Sequence, residues 1–253
     1  MANIRIIARL DIKGPNLIKG IQLEGLRVIG DPNTFAMQYY REGADELLYM
    51  DSVASLYGRN NLADVVSYTA QNIFIPFTVG GGIRSVNDVD TLLRAGADKV
   101  AINTAAIQQP ALIEAVARQF GSQCMVLSIE AKRRENGHWE ALTDNGRERT
   151  NMDVVQWAKQ GESRGAGEIV LTSVDGDGMR KGFDTALIHA VATAVSIPVI
   201  ASGGFGELQH LSHAVSAGQA DAVAIASALH YQQVSFSDIR NYAAGHNIAI
   251  RQY

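Results

Sequence analysis

The sequence predicts a single α/β domain folded as a closed (βα)8 barrel and assembled from two similar halves, approximately residues 1–122 and 123–253. Three observations predict it. The length of 253 residues suits one parallel barrel, and no stretch reads as a linker rich in Pro, Ser or charge. Runs of β-branched residues alternate with helix-length amphipathic segments, which is the pattern of repeated βα units. The chain also resembles itself at a spacing of about half its length.

Taken in order, the expected strands are Ile4 to Leu10, Leu47 to Met50, Phe74 to Val79, Lys99 to Ile102, Met125 to Ile129, Ile169 to Leu171, Val199 to Ala201 and Ala222 to Ile225. Helix ends are legible between them. Ser85 with Asp88 reads as a capping box and Pro110 as a first-turn proline, while Gly96, Gly121 and Gly218 read as C-caps. The segment from Lys13 to Gly30 is long for a βα connection and reads as a lid loop. Arg133 to Arg149 reads as a short hairpin inserted after the fifth strand, a surface excursion on the blander view.

The internal matches come in the same order in both halves. Gly43-Ala-Asp-Glu-Leu-Leu-Tyr-Met-Asp51 recurs as Gly165-Ala-Gly-Glu-Ile-Val-Leu-Thr-Ser-Val-Asp175, with an insertion before the acid. Ile75-Pro-Phe-Thr-Val-Gly-Gly-Gly-Ile83 recurs as Ile197-Pro-Val-Ile-Ala-Ser-Gly-Gly-Phe205, and Arg94-Ala-Gly-Ala-Asp-Lys-Val-Ala-Ile102 as Ser216-Ala-Gly-Gln-Ala-Asp-Ala-Val-Ala-Ile225. Asp11 after the first strand is matched by Glu130 after the fifth.

Composition narrows the function classes. A net charge of −4 with the signs interspersed offers no attraction for nucleic acid or an anionic membrane. The single cysteine, Cys124, lies in an apolar run that reads as a core strand and has no intramolecular partner; a reducing, cytoplasmic location is expected. No run is long and apolar enough to suggest a membrane span or a signal peptide. The 6 histidines show no metal-ligand spacing; His210 and His213 share a helix face and read as a solvated pair. Neither a metal nor a cofactor is expected, since no nucleophile elbow, dinucleotide fingerprint or Walker loop is present.

In a parallel barrel the chemistry sits in the loops after the strands, and glycine lets backbone N–H groups approach a phosphate there. Gly80, Gly81 and Gly82 with Asn103 and Thr104 supply that pattern once; Ser202, Gly203 and Gly204 with Ala226 and Ser227 supply it again. Each cluster alone is equally well read as relief of a tight turn. The pair in equivalent places points to a ligand with two separated phosphates.

Acids after the strands are the catalytic candidates: Asp11, Asp51, Glu130, Asp175 and Asp177. Asp11 and Glu130 come from opposite strands and suit a division into base and acid. For any one of these acids, a hydrogen bond to a loop amide is the competing reading. Lys19 is placed to reach a phosphate or an intermediate, or to be a solvated lysine. A second charged group, Arg5, Glu46, Lys99 and Glu168, sits at strand starts and therefore at the bottom of the barrel, where on the residues alone a salt-bridged closing layer is the better reading.

Nearly end to end, these segments resemble the cyclase subunit of imidazole glycerol phosphate synthase. The residues that carry the resemblance include Leu10-Asp11, Lys19-Gly20, Thr78-Val-Gly-Gly-Gly-Ile-Arg84, Ile102-Asn-Thr-Ala and Val199-Ile-Ala-Ser-Gly-Gly204. The resemblance implies a lyase of histidine biosynthesis that combines ammonia with a bisphosphorylated ribulosyl formimino carboxamide ribotide, giving imidazole glycerol phosphate and aminoimidazole carboxamide ribotide. It implies a glutaminase partner docked on the bottom face as a heterodimer, with Arg5, Glu46, Lys99 and Glu168 as an ammonia gate and Asp98 as a contact.

The sequence departs from that family in places. The second catalytic acid is Glu130 rather than an aspartate, Ala8-Arg9 replaces Pro-Cys, and Asp175-Gly-Asp177-Gly replaces Asp-Arg-Asp-Gly. Lys13 to Arg27 is similar instead to paralogues of surface-polysaccharide sugar-amidation systems. That leaves an alternative, an ammonia-conducting barrel of such a complex. A single-barrel sugar-phosphate isomerase also fits two phosphate sites but leaves the bottom ring unexplained.

Overall fold

A computed structural model describes residues 3–53, 62–135 and 137–251. Its strands are β1 (Arg5–Lys13), β2 (Asn16–Ile21), β3 (Glu24–Gly30), β4 (Glu46–Asp51), β5 (Phe77–Gly80), β6 (Lys99–Ile102), β7 (Met125–Arg133), β8 (Trp139–Thr143), β9 (Glu148–Asp153), β10 (Glu168–Ser173), β11 (Val199–Ser202) and β12 (Ala222–Ile225). The parallel strands β1, β4, β5, β6, β7, β10, β11 and β12 follow one another around the ring, and the pairing of β12 with β1 closes it. The expected (βα)8 (TIM) barrel is the observed fold.

Strand alternation sorts the residues of β1 into two sets. Ile6, Ala8 and Leu10 face the surrounding helices within the main apolar layer. Ile7 faces the axis with Leu48, Met50, Ala101, Val126, Val170, Ile200, Ala222 and Ala224, which fill the barrel centre. Arg5, Arg9 and Asp11 share that inward parity. The barrel therefore carries charge at both ends and an apolar plug between.

The expected capping box is present, whereas Pro110 sits just before Ala111–Phe120 as its N-cap rather than in its first turn. Ser85 and Asp88 form the capping box of Val86–Arg94, and Asp31 caps Pro32–Arg41 by accepting the Thr34 N–H at 2.7 Å. Each turns an apolar stripe to the barrel, as with Leu112, Ile113 and Val116 in Ala111–Phe120. Gly96 and Gly121 adopt positive φ after their helices, but Gly218 does not: the left-handed residue after Gln209–Ser216 is Gln219, at φ 61°.

The structure corrects several other expectations. Phe74 is 78% exposed and the strand begins only at Phe77, because Pro76 cannot donate to a ladder; its carbonyl instead accepts the Leu47 N–H. Lys13 to Gly30 is not a loop. It forms the antiparallel β2–β3 hairpin, which pairs with the extended end of β1 through Asp11↔Ile18 and Lys13↔Asn16. The expected hairpin after β7 is present as β8–β9, with Asn136 outside the described residues. Each half thus opens with a long strand and its own hairpin.

Cys124 is buried but ends a 3-10 turn just before β7. His210 is buried, not solvated, and its Nδ1 accepts the N–H groups of Gly206 and Glu207 at 3.1 Å. Among the described residues no helix is long and apolar enough to cross a membrane.

Candidate functional site at the C-terminal mouth of the barrel

Each glycine cluster lines a cavity at the C-terminal ends of the strands. The first, of about 260 Å³, is lined by Asp51, Gly81, Gly82, Asn103, Thr104, Glu130 and Asp144 among others. Gly81 and Gly82 adopt φ of 97° and 71°, and a side chain on Gly81 would collide with the carbonyl oxygen of Asp51. Thr104 begins the next short helix, so the cavity faces exposed backbone N–H groups and the positive end of a helix. The second, much narrower cavity is lined by Asp177, Ser202, Gly203, Gly204, Ala226 and Ser227 among others.

The two cradles are built alike. Gly203 at φ 87° packs against Ser173 as Gly81 packs against Asp51, with β10 ending at Ser173 as β4 ends at Asp51. The structural counterpart of Asp51 is therefore Ser173, which corrects the match to Asp175. Asp175 lies outside both cavities, where its carboxylate accepts the Arg133 N–H at 2.8 Å and pairs with Lys132 at 3.4 Å. It anchors the base of the β7 hairpin.

Between the cradles lies a buried charge network. Asp11 accepts from Arg9 Nε at 2.9 Å and from Lys19 Nζ at 3.1 Å. Lys19 also donates to both carboxylate oxygens of Asp177 at 2.9 Å. Lys19 is thus a buried, doubly paired cation and not a solvated side chain. Burial pushes the Asp11 carboxyl towards its neutral form, but Arg9 and Lys19 outweigh that and hold it well below the usual carboxylate range.

Glu130 has the opposite fate. Its Oε2 accepts from Asn103 Nδ2 and from the Gly146 N–H, both at 2.8 Å. Burial pushes its carboxyl up to about 7, with the nearby Asp144 and Asp11 adding to the rise against the pull of the Gly146 amide and Arg9. The hairpin turn supplying that amide is left-handed at Asp144, Asn145 and Gly146, and Thr104 Oγ1 ties it down by accepting the Asp144 N–H at 3.0 Å. The long acid and the turn are matched to each other.

Several site residues escaped the sequence reading: Arg9, Asp144 and Asn145, which line the first cavity, and Thr172, which accepts from Arg9. Parity offered a signal for the first, since Arg9 stands two residues before Asp11 on the same face of β1. Thr172 pairs with Glu130 in register, which only the sheet reveals.

At the opposite end, Arg5 donates to Glu46 at 2.8 Å and to Glu168 at 2.6 Å, while Lys99 contacts Glu168 at 2.8 Å and Glu46 at 3.4 Å. The signs alternate around a closed ring of two cations and two anions. Asp98, beside Lys99, is exposed and uses one carboxylate oxygen to accept the Phe77 N–H at 2.8 Å. Among the described residues, no group of three His, Cys, Asp or Glu side chains is arranged to hold a metal ion.

The family model described as "Histidine biosynthesis protein" matches residues 5–235. A Legionella pneumophila protein named imidazole glycerol phosphate synthase subunit HisF is 68% identical over 212 residues, covering 84% of this chain and 100% of the relative. A Mycobacterium tuberculosis (strain ATCC 25177 / H37Ra) protein of the same name is 50% identical over 254 residues, covering 98% of this chain and 95% of the relative. Matched over nearly its whole length by that model and by these relatives, the chain belongs to the histidine biosynthesis protein family, with the proteins named imidazole glycerol phosphate synthase subunit HisF.

Proposed function

We propose that this barrel is the cyclase subunit of imidazole glycerol phosphate synthase, a lyase that joins ammonia to a bisphosphorylated ribulosyl formimino carboxamide ribotide and releases imidazole glycerol phosphate and aminoimidazole carboxamide ribotide. The observation that carries the reading is the pair of matched glycine cradles flanking two buried carboxyl groups, Asp11 between two cations and Glu130 between two neutral donors. Gly81, Gly82, Asn103 and Thr104 take one phosphate; Ser202, Gly203, Gly204, Ala226 and Ser227 take the other, with one cradle in each half, residues 1–122 and 123–253. Lys19, Asp51 and Asp177 contact the ligand between them, and Asp175 braces the wall.

Ammonia attacking a ketone carbon must lose a proton from nitrogen while the oxygen gains one on its way to leaving as water. Asp11, kept anionic by Arg9 and Lys19, suits the base; Glu130, whose carboxyl burial raises to about 7, retains a protonated fraction near neutrality and suits the acid.

The ammonia is supplied by a glutaminase that docks on the bottom face, with Asp98 among the contacts. It enters through the ring of Arg5, Glu46, Lys99 and Glu168 and travels along the barrel axis. A cytoplasmic location suits this chemistry. The sugar-amidation alternative gains nothing from the two relatives, both of which carry the synthase name. Purified protein with the ribotide and excess ammonium salt, followed by loss of substrate absorbance, tests the reading; absence of turnover refutes it.

A further inference from the structure

The side chain of Arg9 has no counterpart in the other half of the barrel. Asp11 answers to Glu130, so the position that answers to Arg9 is Ser128, a small neutral residue. A guanidinium buried to 3% exposure is costly to desolvate and persists only where its donors are met. Here they are met on one side. Nε donates to Asp11 at 2.9 Å, and Nη1 donates to Thr172 Oγ1 at 2.8 Å and to Ser202 Oγ at 3.0 Å. To do so the side chain leaves β1 and reaches past β12, whose inward residues are the small Ala222 and Ala224, to β11 and β10.

Two further facts point beyond a structural role for this arginine. Among the described residues, Arg9 is the one that lines both the first cradle's cavity and the second's. Its remaining nitrogen, Nη2, has no hydrogen bond to any described residue, although Nε and Nη1 are fully engaged. The fork is locked in place by three partners and keeps one donor edge open on a side chain that borders both cavities. A fixed planar fork of this kind suits an oxygen atom of defined position far better than a mobile ammonium does.

We propose that Arg9 is a substrate-binding and specificity-determining residue: Nη2 donates to an oxygen in the body of a bisphosphorylated ligand, between its two phosphates, while Nε holds Asp11 in register with that oxygen. This rests on the reading of the site as a bisphosphate site and goes beyond it. The two cradles set the separation of the phosphates, and Arg9 reads what lies between them. A ligand carrying phosphates at the right spacing but no oxygen acceptor in the middle is discriminated against, because it leaves a buried donor without a partner.

Calorimetric titration of the wild type, Arg9→Met and Arg9→Lys with the bisphosphorylated ribotide and, separately, with inorganic phosphate tests this. Arg9→Met is expected to bind the ribotide on the order of tenfold to a hundredfold more weakly, as for loss of a charged hydrogen bond, and inorganic phosphate within about threefold of the wild type. Arg9→Lys keeps the charge beside Asp11 and guards against a methionine variant that fails to fold; it is expected to fold and still to bind the ribotide at least about tenfold more weakly, since one ammonium cannot serve Asp11, Thr172, Ser202 and the ligand together. Ribotide affinity unchanged in either folded variant, or equal losses for ribotide and phosphate, overturns the proposal, as does a wild type that does not bind the ribotide. A wild type that binds the ribotide but does not turn it over with ammonium refutes the cyclase reading and leaves the Arg9 contact standing.

Discussion

Asp11 and Glu130 occupy matching positions on opposite strands of the ring, yet one carboxyl is held well below the usual carboxylate range and the other is raised to about 7. The cause is their neighbours. Asp11 receives Arg9 and Lys19, both cations, whereas Glu130 receives only the neutral donors of Asn103 and Gly146 in a buried setting. Two carboxyl groups whose environments push them apart suit the proposed division into base and acid.

The pH profile of kcat/KM for the ribotide, measured at constant free ammonia, follows from that division. Activity is expected to fall as pH rises through about 7, where Glu130 loses its proton. On the acid side no limb is expected in the ordinary carboxylate range, because Asp11 remains ionised well below it. A profile measured across pH 4.5 to 9 checks both limbs, and a basic limb that stays flat to pH 9 removes Glu130 from the acid role.

Stability carries the same signature with the opposite partner state. Glu130 binds its proton more tightly folded than unfolded, so its contribution is complete below the unfolded value near 4.5 and is lost as pH rises through about 7. Between pH 6 and pH 8 the wild type is expected to lose about 1 kcal/mol that Glu130→Gln does not lose. Denaturant melts of both proteins at the two pH values give the difference directly.

Much of this arrangement was legible in the sequence, and what was not has physical reasons. The eight strands and both glycine cradles were readable because period-2 burial and left-handed glycines leave local traces. The β2–β3 hairpin was not, because Ile21 and Val28 are exposed and the strand pattern is written partly in polar residues facing solvent. The match of Asp51 to Asp175 fails because the second half carries no acid at the strand end, where the sheet puts Ser173. The Arg9 fork was invisible because its partners, Thr172 and Ser202, lie on strands far along the chain, and only closure of the ring brings them together.

Shortening Glu130 tests whether the extra methylene is a defect or a fitted feature. Glu130→Asp withdraws the carboxylate by about one C–C bond from the Asn103 and Gly146 donors, and misplacement of about 1 Å costs up to a hundredfold in rate. The structure favours the fitted reading: kcat is expected to fall tenfold to a hundredfold in single-turnover assays. A rise in kcat means the family's aspartate is the better acid here and the left-handed turn at Asp144 to Gly146 is no part of the site.

Gly81→Ala and Gly203→Ala probe the cradles separately. Each places a Cβ at positive φ against backbone, that of Asp51 or of Ser173, so the loop must move. Each is expected to raise KM for the ribotide by at least about tenfold while costing on the order of 1–3 kcal/mol of stability. Unchanged KM in a folded variant shows that its loop does not hold a phosphate.

The bottom ring separates conduit from catalyst. Lys99 touches both Glu46 and Glu168, and its removal opens one quadrant of a four-member ring while Arg5 keeps both acids paired. The ring lies beyond the apolar plug from Asp11 and Glu130, so ammonia that enters from bulk solvent at the mouth need not pass it. Lys99→Ala is therefore expected to leave ammonium-driven turnover within about twofold and to lower glutamine-driven turnover in the glutaminase complex severalfold, with glutamate released in excess of cyclised product. Titrating glutamate against imidazole product in one reaction measures the leak. Equal loss on both nitrogen sources means that Lys99 supports only the closing salt-bridge layer, and that ammonia does not pass this ring.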